Sequence, residues 1–201
     1  EETGLILPLG EWVLHQACRQ ACDWLAAGLP IEQVSVNLSG VQMKRADVVA
    51  LTHGALHHSG LGADHLELEL TESSVMTRAG QATSTLEALS TLGTTIAIDD
   101  FGTGYSSLVN LKQFPLSRLK IDKSFVRDVS RDPNDEAIIR ATIALGKSFN
   151  LRIIAEGVEK EAQRKFLLNE GCHEVQGFLY SDPVPPEAIS DLLLLRRSVS
   201  N

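Results

Sequence analysis

The sequence predicts an α/β fold in which parallel strands alternate with helices. Short segments rich in β-branched and aliphatic residues alternate with longer amphipathic segments along the chain, and this order is typical of right-handed strand–helix–strand units. In addition, polar residues recur at the ends of the predicted strands. That second pattern is typical of α/β folds whose functional site lies at the carboxyl edge of the sheet.

Six strands are predicted from short β-branched or alternating segments. In segments such as Leu66–Leu70, polar and apolar residues alternate, which places them on opposite faces of a strand. The predicted strands are Val34–Leu38, Leu66–Leu70, Thr94–Asp99, Arg118–Asp122, Arg152–Glu156 and Glu174–Phe178.

Helices are predicted before, between and after these strands, where apolar residues recur with helical spacing. Gly60, Gly93 and Gly171 lie just after three of these segments and fit helix C-caps, and Pro186 fits a helix start. The predicted helices are Leu9–Ala27, Asp47–His58, Ala79–Leu92, Glu136–Phe149, Glu161–Asn169 and Pro186–Leu195.

Composition and charge exclude several classes of protein. The 201 residues are 43% apolar and 22% charged, which excludes collagen-like, disordered and disulfide-dense chains. With 18 Lys and Arg against 26 Asp and Glu, the net charge of −8 disfavours binding to DNA, RNA or an anionic membrane surface. No apolar segment reaches the ~20 residues of a transmembrane helix, and no signal peptide is recognisable. The three cysteines favour a reducing compartment, so a cytoplasmic location is expected.

Polar residues at the carboxyl ends of the predicted strands indicate a metal site. In chain order they are Asn37, Glu69, Asp99 with Asp100, Lys120, Glu156 and Gln176. Because parallel strands end at the same edge of a sheet, these acids would converge and repel one another unless cations neutralise them. Carboxylate and amide oxygens suit Mg²⁺ or Mn²⁺. The adjacent Asp99 and Asp100 can serve neighbouring ions, as in a two-metal site that activates water for attack at phosphorus.

The segment Asp99–Leu108, Asp-Asp-Phe-Gly-Thr-Gly-Tyr-Ser-Ser-Leu, is the most specific motif of the chain. Its two glycines allow a tight loop directly after the paired carboxylates. The segment does not fit a kinase Asp-Phe-Gly motif, because no glycine-rich loop, lysine strand or catalytic-loop motif precedes it. As a phosphate cradle, a lone Gly-x-Gly is weak evidence.

This motif and six others, in this order, resemble the EAL-domain family of bacterial phosphodiesterases, which hydrolyse cyclic di-GMP to linear pGpG. The resemblance extends over nearly the whole chain. The other matching segments are Glu1-Glu2-Thr3-Gly4-Leu5-Ile6, Asn37-Leu38-Ser39, Glu69-Leu70-Thr71-Glu72, Leu119-Lys120-Ile121-Asp122, Glu156-Gly157-Val158-Glu159 and Gln176-Gly177.

The resemblance implies two bound metal ions, Mg²⁺ or Mn²⁺. Asn37, Glu69 and Asp99 would bind the first ion. Asp99 would bridge to the second ion, which Asp100 and Glu156 would also hold. A phosphodiester anion cannot approach such a cluster of carboxylates without cations, so the implied chemistry agrees with the charge pattern.

The resemblance also implies catalytic and supporting residues. Lys120 would orient the attacking water or stabilise charge at the phosphate, and Glu156, Glu159 and Gln176 would also take part in catalysis. Glu72 would anchor the loop from Asp100 to Ser107. The implied substrate contacts are Asn37, Asp100, Lys120, Gln176 and Pro183. Asp122 faces the same side as Lys120, and an internal ion pair and a catalytic role stay open for it.

One departure from the family pattern concerns the beginning of the chain. The Glu-Ala-Leu signature is absent; in the family it lies on a strand before the Glu-Glu-Thr-Gly segment, and its Glu binds the first metal. Six predicted strands also fall short of the eight strands and ~250 residues of a closed barrel. We therefore expect a TIM-like (β/α)8 barrel of the EAL type whose first two strands are missing from this chain. The domain is expected at residues 1–195, followed by a polar tail at 196–201.

Three functions follow as hypotheses. The first is metal-dependent hydrolysis of cyclic di-GMP to pGpG by a cytoplasmic domain that makes no membrane contact, with sensory domains upstream and possible dimerisation. The second is a catalytically inactive domain that binds cyclic di-GMP as a receptor. The third is a different barrel enzyme, such as an aldolase that forms a Schiff base on Lys120, which the Asp99–Asp100 pair disfavours.

Overall fold

A parallel sheet of six strands organises the protein. The computed structural model describes residues 1, 3–76, 79–104, 108–129 and 131–199 and, within these ranges, the side chains of all residues except 79, 81 and 194–199. The strands pair in chain order, each parallel to the next. They are Val34–Leu38 (β1), Leu66–Thr71 (β2), Thr95–Phe101 (β3), Arg118–Ile121 (β4), Arg152–Ala155 (β5) and Glu174–Val175 (β6).

Helices connect the strands and cover one face of the sheet. Long helices alternate with helices of five or six residues in the described part of the chain, and a short 3-10 helix, Ala63–His65, precedes β2. The α-helices are Ile6–Ala26 (α1), Gly40–Arg45 (α2), Val48–Ser59 (α3), Glu72–Met76 (α4), Ala79–Thr91 (α5), Leu108–Gln113 (α6), Lys123–Arg127 (α7), Pro133–Phe149 (α8), Glu161–Glu170 (α9) and Pro186–Val199 (α10).

The six predicted strands and six predicted helices are all present; the first strand has the predicted ends, and every other element differs at one or both ends. Asp122 was predicted to end the fourth strand, but it caps α7 instead, because its side chain accepts a hydrogen bond from the backbone N–H of Ser124. Glu156 follows β5 rather than ending it, since Gly157 turns the chain with a φ of 67°. Gln176 likewise follows β6 rather than lying within it. The four short helices α2, α4, α6 and α7 were not predicted, because five or six residues carry too little periodicity.

The two faces of the sheet differ in polarity, and the predicted site lies on the charged inner face. On the outer face, aliphatic side chains pack against the helices and are fully buried, as at Leu68 and Leu119. Each such side chain contributes about 1.5–3 kcal/mol through burial. On the inner face lie charged residues of the same strands, at alternate positions: Glu67 and Glu69 of β2, and Arg118 and Lys120 of β4.

A one-residue bulge interrupts β3 at its carboxyl end. Ile98 pairs with Leu119, but Phe101 pairs with Ile121, so one extra residue lies between the two pairs on β3. Asp100 has a φ of 54°, a conformation that is unusual for a residue other than glycine. Ile98 and Phe101 both belong to the outer core. Asp99 and Asp100 therefore occupy the space between two outward-facing residues.

Cys18, Cys22 and Cys172 are free thiols. Cys18 lies in the core between α1 and the sheet, and Cys172 lies just after α9; each is at most 1% exposed. Burial raises the pKa of both thiols to about 11. They are therefore protonated at neutral pH and serve as small packing groups.

None of the helices in the described part of the chain combines the length and the apolarity that crossing a bilayer would require.

Candidate active site

Lys120 lies at the centre of the predicted site, on the inner face of β4. Its Nζ atom is 2.6 Å from Glu69 Oε2, 2.5 Å from Glu156 Oε1 and 3.4 Å from Asp99 Oδ1. We call these four residues the upper layer of the inner face. Strands β2 and β3 and the segment after β5 thus bring three carboxylates to one lysine on β4.

The charge balance of the upper layer favours additional cations. Burial alone would lower the pKa of Lys120, but hydrogen bonds to Glu156 and Glu69 outweigh it and hold the pKa above its ordinary value. Burial raises the pKa of Glu156, although Lys120 opposes this effect. One protonated lysine therefore faces three carboxylates in a largely buried setting, which leaves excess negative charge.

The bulge in β3 brings a fourth carboxylate to this site. One ligand oxygen from each of Asp99, Asp100 and Glu156 lies within 4.8 Å of the others. Burial and a hydrogen bond shared with Asp122 raise the pKa of Asp100. Three oxygen donors at this spacing fit a hard divalent cation, because Mg²⁺ and Mn²⁺ prefer carboxylate ligands. The donor set therefore fits the metal ions that the sequence predicts.

Asp122 contacts Asp100 rather than forming an ion pair with Lys120 among the described contacts. Its side chain accepts hydrogen bonds from the N–H and the hydroxyl of Ser124. Although burial acts in the opposite direction, these bonds hold the pKa of Asp122 below its ordinary value. Asp122 thereby links the start of α7 to the acidic end of β3.

Glu72 holds the loop that follows the paired aspartates. It begins α4, is 1% exposed, and its Oε2 accepts a hydrogen bond from the N–H of Gly102 at 3.0 Å. Gly104 also lies against this carboxylate: a Cβ atom at Gly104 would be 2.9 Å from Glu72 Oε1. Close approach thus requires glycine at that position. Residues 105–107, which belong to the predicted motif, lie outside the described residues, as does Glu2.

The remaining predicted site residues lie at the rim. Asn37 pairs with Glu69 in the register of β1 and β2, so it is adjacent to the upper layer, and it is exposed. Glu159 is exposed and follows Glu156 by three residues. Gln176 and Pro183 are exposed and share a cleft of about 640 Å³ beside β5 and β6. The structure therefore brings five predicted site residues close together: Glu69, Asp99, Asp100, Lys120 and Glu156. The four exposed residues described above lie around them.

A second charged cluster on the inner face was not predicted. Arg118 Nη1 is 2.8 Å from Glu67 Oε1 and 2.9 Å from Glu67 Oε2, and Arg118 Nη2 is 2.8 Å from Glu174 Oε2. We call Glu67, Arg118 and Glu174 the lower layer. The signal was present in the sequence, because Glu67 and Arg118 have the same strand parity as Glu69 and Lys120.

Comparison with known proteins assigns this arrangement to a family. The profile of the EAL domain matches residues 1–183. The chain belongs to the EAL domain family. The predicted family is therefore confirmed.

Similar proteins support the same assignment. The bifunctional diguanylate cyclase/cyclic di-GMP phosphodiesterase MucR of Pseudomonas aeruginosa is 49% identical over 189 residues, which cover 94% of this chain and 28% of MucR. This EAL chain thus spans a minor part of that relative. A solved structure of the MucR phosphodiesterase in complex with c-di-GMP superimposes with a TM-score of 0.91 at 48% identity, covering 94% of this chain and 76% of that one.

Two further solved structures extend the comparison. The EAL domain of Mycobacterium smegmatis DcpA superimposes with a TM-score of 0.87 at 41% identity, covering 93% of this chain and 84% of that one. The manganese and cyclic di-GMP complex of Klebsiella pneumoniae BlrP1 superimposes with a TM-score of 0.80 at 30% identity, covering 88% of this chain and 45% of that one. The predicted TIM-like fold of the EAL type is confirmed, with six parallel strands in the described residues.

Proposed function

We propose that this EAL domain hydrolyses cyclic di-GMP to linear pGpG in a reaction that depends on divalent cations. The observation that supports the proposal most strongly is the upper layer, where three carboxylates and Asp100 surround a single lysine. The similarity to MucR, a bifunctional diguanylate cyclase/cyclic di-GMP phosphodiesterase whose phosphodiesterase was solved in complex with c-di-GMP, supports the substrate class.

Five residues are proposed to hold the metal ions, Mg²⁺ or Mn²⁺. Asn37, Glu69 and Asp99 would hold one ion, and Asp99, Asp100 and Glu156 would hold the other. The oxygen atoms of Asp99, Asp100 and Glu156 lie within 4.8 Å of one another, which supports the second group. Divalent cations supply the positive charge that lets a phosphodiester anion approach these carboxylates, and they activate water as a nucleophile.

Hydrolysis forms a bond between a water oxygen and phosphorus and breaks the bond from that phosphorus to the ribose 3′ oxygen. A carboxylate of the site accepts the proton that the water loses, and the 3′ oxygen takes up a proton as it leaves. Lys120, which is protonated at neutral pH, donates a hydrogen bond to the attacking water or to a phosphate oxygen. Glu156, Glu159 and Gln176 assist from the segments after β5 and β6, and Glu72 positions the loop after Asp100.

The substrate is proposed to lie across the carboxyl edge of the sheet. Asn37, Asp100 and Lys120 contact the phosphate region. Gln176 and Pro183 contact the remainder of the dinucleotide, since both border the cleft of about 640 Å³ beside β6. Such a cleft is large enough for part of a dinucleotide.

The setting of this activity is also proposed. Residues 1–195 form the phosphodiesterase domain and 196–201 a polar tail, within a cytoplasmic protein whose further domains sense a signal. The 28% share of MucR that this chain covers supports a multidomain setting. A homodimer is proposed without a defined interface, and no partner of the DNA or RNA class is expected at a net charge of −8.

The test uses the natural polypeptide that contains these 201 residues. Incubation with cyclic di-GMP and either Mg²⁺ or Mn²⁺ should yield pGpG by ion-pair chromatography, and excess EDTA should abolish it. Glu156→Gln should lose turnover, whereas Glu161→Gln should retain it, because Glu161 pairs with Arg164 on the surface of α9. Turnover in excess EDTA would contradict the metal dependence. Tight binding of cyclic di-GMP without cleavage would instead favour the receptor function.

A further inference from the structure

Gln163 uses its whole hydrogen-bonding capacity next to the site. It lies in the first turn of α9 and is 5% exposed. Its Oε1 atom accepts hydrogen bonds from the backbone N–H groups of Glu159 and Lys160, both at 2.8 Å. Its Nε2 atom donates to the backbone carbonyls of Val126 and Arg127 at 3.2 and 3.3 Å. An amide has two acceptor positions and two donor positions, so all four are occupied.

These four bonds join a segment that carries two site residues to the helix that follows β4. The first is segment 156–160 after β5, with Glu156 at its beginning and Glu159 near its end. The second is α7, which begins directly after Asp122. Asp122 in turn follows Ile121, the last residue of β4. Gln163 is therefore a buried bridge between the segment that carries Glu156 and the helix that follows Lys120 and Asp122.

Segment 156–160 is held on its other sides as well. Glu156 N–H donates to the carbonyl of Ile121 at 3.1 Å, and Val158 N–H donates to the carbonyl of Gln176 at 3.0 Å. The backbone of Gly157 lies against Lys123 of α7, so closely that a Cβ atom there would clash. The segment is thus packed between α7 and Gln176, whose side-chain amide is predicted to take part in catalysis. A displacement at Gln163 would move it relative to both.

We infer that Gln163 is a positioning residue that fixes Glu156 and Glu159 relative to Lys120. The inference rests on the function proposed above. Removal of the amide would leave the N–H groups of Glu159 and Lys160 and the carbonyl of Arg127 without this partner, while the carbonyl of Val126 would keep only the bond from Val129 N–H at 3.4 Å. Buried polar groups without partners are costly. The segment would relax to satisfy them, and this movement would displace the Glu156 carboxylate from the 2.5 Å contact with Lys120.

Two variants and one control test the inference. Gln163→Met keeps the length of the side chain and removes all four hydrogen bonds. Gln163→Glu keeps the acceptor for Glu159 and Lys160 and loses both donors. Leu167→Val, the control, loosens the packing of the same helix at a fully buried position whose side chain is apolar. Thermal unfolding identifies the temperature range in which each variant is folded, and all measurements are made there.

The expected kinetic result is a loss of turnover rather than of substrate affinity. In Gln163→Met, kcat for cyclic di-GMP should fall about 10- to 100-fold, the range seen when groups that orient metal ligands are removed, while KM stays nearly constant. Gln163→Glu should lie between Met and wild type. Leu167→Val should keep the wild-type kcat even though its unfolding temperature falls, which separates positioning from general stability.

A second readout does not depend on activity. Binding of Mn²⁺ without substrate, measured by electron paramagnetic resonance, should weaken in Gln163→Met and stay unchanged in Leu167→Val. A folded Gln163→Met with the wild-type kcat and Mn²⁺ affinity would overturn the inference. Should Gln163→Met fail to fold, Gln163→Glu carries the same comparison. If the wild-type protein binds Mn²⁺ but leaves cyclic di-GMP intact, the proposed function fails, and the Mn²⁺ comparison still decides the role of Gln163.

Discussion

The two charged layers on the inner face of the sheet use the same strands in different ways. In the lower layer, one arginine lies between Glu67 and Glu174. In the upper layer, one lysine faces three carboxylates, and Asp100 adds a fourth nearby. The two layers are two residues apart on β2 and β4, about 6.6 Å along a strand. The two layers therefore differ in charge balance: the lower layer has one cation for two carboxylates, and the upper layer has one cation for three.

The difference bears on the proposal that the upper layer, and not the lower layer, accepts divalent cations. The lower layer directs the planar guanidinium of Arg118 at two carboxylates with fixed geometry, and Ser35 adds a hydrogen bond to Glu67 at 2.9 Å. The upper layer has a compact ammonium group that cannot neutralise all of its neighbours. The upper layer lies at the carboxyl edge of the sheet, where divalent cations are proposed to balance its excess negative charge before an anionic substrate approaches.

The largest expected effect is the loss of stability when the lower layer loses its cation. Arg118→Met leaves Glu67, which is 1% exposed, without its cationic partner. An uncompensated buried charge costs about 3–5 kcal/mol, so urea unfolding should show a loss of that size. The double variant Glu67→Gln with Arg118→Met should recover most of this loss. If the single variant is as stable as wild type, the lower layer has no structural role.

A smaller effect in free energy is expected on catalysis when the upper layer loses a carboxylate. Asp99→Asn should reduce the initial rate of cyclic di-GMP hydrolysis by at least about 100-fold, or about 2.7 kcal/mol, because it removes a proposed metal ligand. The free energy of unfolding should stay constant or rise, because the variant has one carboxylate fewer and therefore less repulsion among the like charges of the upper layer. Glu174→Gln, the matched change in the lower layer, should keep most of the rate. Equal losses in both variants would contradict the division between the layers.

The smallest expected effect is the stabilisation by Mn²⁺, and Lys120→Met shows whether the lysine and divalent cations neutralise the same charges. Without divalent cations, this variant should be less stable than wild type, because the three carboxylates lose their counterion. Mn²⁺ at about 100 times its dissociation constant adds up to about 2.7 kcal/mol. The Mn²⁺-induced shift in the urea midpoint should be larger in Lys120→Met than in wild type and should not rescue Arg118→Met. Equal shifts in wild type and Lys120→Met would show that the lysine does not compete with cations.

Much of the fold and of the upper layer could be predicted from local pattern. Alternation in Leu66–Leu70 placed Glu67 and Glu69 on one face, and β2 begins at the predicted residue. Asp99 and Lys120 lie at the carboxyl ends of their strands as expected, and the structure places them 3.4 Å apart. Alternation is a property of neighbouring residues, so a single sequence is sufficient to predict it.

The rest depends on contacts between distant residues. Parity indicated the face on which Arg118 lies but not its pairing with Glu67, 51 residues away in the chain. The pairing of Gln163 with α7 gave no sequence signal, because Val126 and Arg127 contribute only backbone carbonyls to it. The predicted end of β4 at Asp122 was wrong, because Asp122 has the parity of a strand residue and yet caps a helix. Such choices are made by tertiary contacts rather than by local preference.

The bulge at Asp100 has a consequence for how this family can change. Ile98 and Phe101 both face the outer core, with two aspartates between them where regular alternation allows one residue. Deletion of Asp100 alone would restore regular alternation: Ile98 outward, Asp99 inward, Phe101 outward. The sheet would lose its only register shift between β3 and β4 in the described residues, together with one proposed ligand of the second ion. The loss of one codon would therefore remove a proposed ligand of the second ion and, at the same time, restore the regular register of β3 with β4.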